Sequence, residues 1–152
     1  MAQALPSTDE EALNGTKVNL QQAIAGKRAV LIFGFSKDAG KQTSPWREQL
    51  MAGLKRDAGP APVLFEVPLM EGLPGLLRGF VLRSMRKAIP TAEQGSVLPV
   101  FAHKKEWQAL AGFSTPDDAY VVVLDERQGV VAKDHGPVTP ERLNAMLGAL
   151  KP

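Results

Sequence analysis

The run Ala29-Val30-Leu31-Ile32-Phe33 contains no polar residue. Successive side chains of a strand point to opposite faces, so a strand with one wet face alternates apolar and polar residues. A run that is apolar at every position belongs to a strand covered on both faces, the central strand of a sheet packed between helices. Two further segments read as strands: Val63–Val67 and, most clearly, Ala119–Asp125. Helical patterns lie between them. Asp38 is expected to cap a helix running to about Lys55, with Trp46, Leu50, Met51 and Leu54 at helical spacing and Pro45 as an interior break. Leu76–Ile89 reads as a second helix ended by Pro90, and His103–Leu110 as a third stopped by Gly112.

The remaining punctuation completes the order. Asn14-Gly15 makes a turn into a short edge strand, and Asn19 caps a short helix over Leu20–Ala25 that Gly26 ends. Asp57–Pro62 is a loop and Leu98–Phe101 a short extended piece. Glu126–Gly129 turns into Val130–Lys133, and Thr139-Pro140-Glu141 opens a last helix to about Leu150. Strands alternating with helices imply parallel crossovers, and the late hairpin adds antiparallel pairing. The expectation is an α/β three-layer sandwich: a mixed sheet with a C-terminal hairpin and helices on both faces.

A chain of 152 residues, 44% hydrophobic, supports one core. The polar stretch Ser7–Glu11 suggests a flexible segment over residues 1–12 and a single domain over 13–152. A net charge of +2 gives no reason to expect nucleic acid as a partner. No run approaches the ~18 apolar residues that a membrane-spanning helix requires. Ala2-Gln3-Ala4 has the small-x-small pattern of a signal-peptidase site without a hydrophobic region before it. Cytoplasmic residence and export with a trimmed signal both stay open.

The order of elements, with Asn14-Gly15-Thr16-Lys17-Val18-Asn19-Leu20 leading through Gly26-Lys27 into Arg28–Phe33 and Val123-Leu124-Asp125 leading through Gly129 into Val130-Val131, resembles the redoxin-type members of the thioredoxin superfamily. Aligning Pro45 with that family's helix proline places the redox motif at Lys37-Asp38-Ala39-Gly40. Neither motif end is a cysteine. The family's proline opposite the motif would fall near Ala119, where none stands; Pro116 lies earlier. A narrower similarity is to the cysteine-less ATP synthase assembly factors of mitochondria and their bacterial relatives. It rests on Trp46, on Arg83-Ser84-Met85-Arg86-Lys87-Ala88-Ile89-Pro90, on Tyr120–Asp125 with Gly129, and on Gly136, Thr139, Pro140 and Glu141. Ala132 departs from the aromatic residue often found there. The resemblance implies a non-catalytic binding or assembly module with a protein partner, an integral membrane subunit among the candidates, and at most weak peripheral membrane contact.

The chain has no cysteine, so it has no thiol nucleophile, disulfide or thiolate metal site, and sulfur-based redox catalysis is excluded. No catalytic residue, metal site or cofactor is expected. Gly34 to Gln42 nearly matches a phosphate-binding loop, but five residues separate the glycines instead of four, and Gln42 replaces the hydroxyl residue that would hold magnesium. Lys37 and Lys41 beside a helix start leave anion or nucleotide binding as the alternative function. His103 and His135 stand apart and are expected to be structural or solvated. Asp117-Asp118 is expected to cap a turn, and Trp46 and Trp107 to lie in the core.

The most informative segment is Leu76–Lys87. Leu76, Leu77, Phe80, Val81 and Met85 form an apolar set, while Arg78, Arg83, Arg86 and Lys87 give a charge of +4 with no acid between Glu71 and Glu93. Two readings follow: a core-facing helix with a solvated basic side, or a docking surface for an acidic partner or anionic membrane face.

Overall fold

The computed structural model describes residues 5–6, 9–56 and 62–151. The expected loop over residues 57–62 therefore lies outside the description except for Pro62. Ala29–Gly34 forms β3, buried at every position as its unbroken apolar run requires. It pairs in parallel with β4 (Val63–Pro68) and antiparallel with β5 (Ala119–Leu124), which pairs antiparallel with β6 (Val130–His135). The four-stranded order is β4-β3-β5-β6.

Alternate side chains of β3 serve two cores. Leu31 and Phe33 face Leu20 and Ile24 of α1 (Leu20–Ile24) and Trp107 and Leu110 of α4 (Lys104–Ala111). Val30 and Ile32 face Trp46 and Leu50 of α2 (Gly40–Lys55) and Met146 of α5 (Pro140–Ala149). Helices cover both faces, as expected, and both tryptophans are core residues.

The caps read from sequence form at two helices. Asn19 Oδ1 accepts the Gln22 N–H at 3.0 Å, and Thr139 Oγ1 accepts the Arg142 N–H at 3.2 Å. At α2 the expectation fails: Asp38 makes no cap, and the Ser36 hydroxyl instead accepts the Ala39 N–H at 3.2 Å. The chain approaches α2 through a turn that buries Ala39 and leaves Asp38 in solvent, so the hydroxyl three residues before Ala39 is the one in reach.

Two other boundaries differ from expectation. The short strand β2 (Lys17–Asn19) pairs with β1 (Asp9–Glu11) as a separate two-stranded sheet. β1 arises from the stretch read as a tail, and Leu5 and Ala12 join the core. The short extended piece expected at Leu98–Phe101 is as read: Val97 and Val100 make isolated parallel bridges to Glu66 and Leu69 without forming a strand. His135 closes β6 instead of following it.

α3 (Gly75–Ala88) stands apart from both main cores and has no buried residue. Leu82 and Met85 pack on a small cluster of Leu13, Ile89 and Val97.

Candidate functional site

The loop leaving β3 is tied down by its own polar groups. The Ser36 hydroxyl donates to Asp117 Oδ1 at 2.6 Å, and the Ala119 N–H donates to Gln42 Oε1 at 2.9 Å. Both bonds fasten the β3–α2 junction to the start of β5. Gln42, the residue that departs from the phosphate-loop pattern, thus has a structural role. The first turn of α2 also lies close over β3: a Cβ added at Gly34 would sit 3.3 Å from Thr43 Cγ2. Of the residues aligned with the family's motif by resemblance, Lys37, Asp38 and Gly40 are exposed and Ala39 is buried. Lys41 reaches Asp38 only at 3.9 Å with both side chains in solvent, where an ion pair contributes little.

Asp117 and Asp118 do not converge. Asp118 Oδ2 pairs with His135 Nδ1 at 2.8 Å, and the His135 ring stacks on Tyr120 with centroids 5.1 Å apart. The Tyr120 hydroxyl accepts the Ser114 and Thr115 N–H groups at 2.7 and 2.6 Å. The expected turn is present, its Asp118 N–H donating to Thr115 O at 3.2 Å, but the two carboxylates hold other elements. Ser36 is bonded to a carboxylate and not to a histidine, so this end holds no serine–histidine pair of the acyl-transfer kind. Among the described residues no three metal-capable side chains gather.

One charged group was missed by sequence reasoning. Arg47 and Glu66 are 1% and 4% exposed. Arg47 Nη1 lies 2.5 Å from Glu66 Oε1, its Nε donates to Glu93 Oε1 at 3.1 Å, and Thr43 Oγ1 donates to Glu66 Oε2 at 2.7 Å. Burial disfavours the Arg47 charge, but Glu66 and Glu93 outweigh it and hold the guanidinium pKa above its ordinary value. The available signal was Glu66 itself, a lone charge inside an otherwise apolar strand, which needs a partner.

The helix α3 carries the exposed chemistry. Leu76 is 97% exposed, Phe80 62% and Leu77 49%. A core-facing apolar stripe is therefore not what α3 has in its first half. The helix rotates about 100° per residue, which turns Val81, Leu82 and Met85 inward and puts Leu76 and Phe80 on the same outward side as Arg83 and Lys87. The four expected contact residues separate into two pairs. Arg78 lies 4.3 Å over the Phe101 ring, and Arg86 Nε donates to the Leu13 carbonyl at 2.9 Å, so both help to dock the helix. Arg83 and Lys87 are exposed and, among the described residues, make no ion pair or hydrogen bond.

Solved structures with this architecture belong to the thioredoxin superfamily. The exposed lipoprotein thioredoxin of Streptococcus pneumoniae superposes with a TM-score of 0.64 at 14% identity, covering 94% of this chain and 98% of its own. A thioredoxin-family thiol:disulfide interchange protein of Chlorobium tepidum gives 0.61 at 15% identity, covering 99% and 98%. BsSco, of the Sco family of cytochrome c oxidase assembly proteins, gives 0.59 at 10% identity, covering 99% and 97%. No protein-family model matches the chain, and no curated protein matches its sequence. The fold is thioredoxin-like, on a chain without the sulfur that thiol–disulfide chemistry needs.

Proposed function

We propose that this chain is a non-catalytic thioredoxin-like binding module that assists assembly of a membrane protein complex, with ATP synthase the candidate to which its sequence resemblance points. The observation that carries the reading is α3, a helix with Leu76, Leu77 and Phe80 in solvent beside the exposed cations Arg83 and Lys87. Apolar side chains clustered in water beside cations are the composition of a contact surface, not of a solvated face. The absence of cysteine supports binding over thiol chemistry, and the likeness to an assembly protein of the Sco family is consistent with it. The partner is a protein, an integral membrane subunit by the resemblance, and α3 is its main contact.

The test places a photo-crosslinking residue at Leu76 or Phe80 in the native host and identifies the captured chain, alongside complex assembly in a deletion strain. Capture of a subunit of a membrane complex together with an assembly defect supports the reading. Normal assembly in the deletion strain, with no membrane subunit captured, rejects it.

A further inference from the structure

The outward stripe of α3 changes chemistry halfway along its axis. Leu76, Phe80, Arg83 and Lys87 stand at i, i+4, i+7 and i+11, one above another on one side of the helix. The stripe spans about 16 Å at 1.5 Å per residue. Its first part is apolar and is widened by Leu77; its last part is cationic, with no acid anywhere in the helix. A helix lying flat on a bilayer keeps apolar side chains along its whole immersed face and its cations on the polar face. Here the cations stand on the stripe itself, at one end. A matching surface is apolar at one end and anionic at the other.

Resting on the binding-module reading above, we infer that α3 receives an amphipathic helix of the partner protein, antiparallel to α3, acidic in its first two turns and apolar in its later ones. Electrostatics sets the direction. Antiparallel docking brings the first turns of the incoming helix beside Arg83 and Lys87. Carboxylates there face the cations of α3 and also the positive end of their own helix dipole. In a parallel arrangement the same carboxylates would sit at a helix C-terminus, where the dipole opposes them. The platform is already formed: Leu82 and Met85 pack inward, Arg86 holds the Leu13 carbonyl, and Gln94 Nε2 donates to the Arg86 carbonyl at 3.0 Å.

The experiment titrates the full chain into two stapled helical peptides of about 18 residues, long enough to span the stripe. Both have one composition of Glu, Leu and Phe, and differ only in whether the acids come first or last. Fluorescence anisotropy is read at low and high salt. The acid-first peptide is expected to bind about tenfold tighter than the acid-last one, and R83E/K87E to lose about that factor for it while gaining affinity for a lysine-first peptide. Because neither cation is paired among the described residues, the variant is expected to keep its fold, which a thermal melt verifies. Equal affinity for the two orders overturns the inference, as does an R83E/K87E variant that binds the acid-first peptide unchanged. Binding to phosphatidylglycerol vesicles that R83E/K87E abolishes, without any peptide preference, overturns it in favour of a bilayer. If peptide order has no effect while the membrane complex is still captured, this inference falls alone. If the peptides discriminate but no complex is captured, the assembly reading falls instead.

Discussion

Replacing Glu66 with leucine removes the principal partner of a guanidinium that is 1% exposed and deprives the Thr43 hydroxyl of its acceptor. Breaking a buried pair from one side costs about 3–5 kcal/mol, because the remaining charge stays desolvated. Glu93 still accepts from Arg47 Nε, which places the expected loss near the lower end, about 3 kcal/mol. For a domain of this size each kcal/mol shifts the melting temperature by about 2–4 °C, so the variant should melt roughly 6–12 °C lower. The double variant R47M/E66L replaces the pair by apolar side chains, and it should recover to within about 1–2 kcal/mol of the parent. Urea unfolding followed by the fluorescence of Trp46 and Trp107, both fully buried, measures the parent, E66L, R47M and the double variant on one scale. The reasoning is refuted if E66L unfolds within about 1 kcal/mol of the parent, or if the double variant loses as much as the two single variants added together.

Four further outcomes follow. The variant L76S/F80S should keep the parent's stability to within about 0.5 kcal/mol, since it removes no buried contact; a larger loss in the same urea assay would return α3 to the core. Trp46→Phe should destabilise by about 1–3 kcal/mol, because the buried Trp46 Nε1 donates to the Gly136 carbonyl at 2.9 Å and phenylalanine leaves that acceptor unmet. Thr139→Ala should cost about 1 kcal/mol through loss of the α5 cap, read from the shift in urea midpoint. The Gly129 and Arg127 N–H groups hold the Asp125 pKa below its ordinary value. A depressed carboxylate stabilises the fold above its unfolded pKa and loses that contribution as pH falls through its folded pKa. Stability curves of the parent and Asp125→Asn should therefore separate at neutral pH and converge in acid; a constant gap across that range would contradict the assignment.

Much of the fold was legible because it is written in local chemistry. An unbroken apolar run identifies a strand covered on both faces, as Ala29–Phe33 and Ala119–Leu124 prove to be. Asn19 and Thr139 identify helix starts because their caps reach only two or three residues. The candidate contact segment was legible as well, as a basic helix free of acids. What α3 does with its apolar residues was not, because periodicity gives a helix a face without saying what lies opposite it. The packed side is that of Leu82 and Met85, chosen by where Leu13, Ile89 and Val97 stand.

By itself, then, the sequence determined the α/β order, the hairpin near the C-terminus, the two buried tryptophans and the absence of thiol chemistry. Each depends on residue type or on spacings within a few positions. Tertiary structure decided the pairings between distant residues: Ser36 with Asp117, Asp118 with His135, Arg47 with Glu66 and Glu93. It also decided that Arg78 and Arg86 dock the helix while Arg83 and Lys87 stand exposed. The reason is the same in each case. A side chain's charge is known from its letter, but its partner depends on which other elements the packing brings within hydrogen-bonding reach.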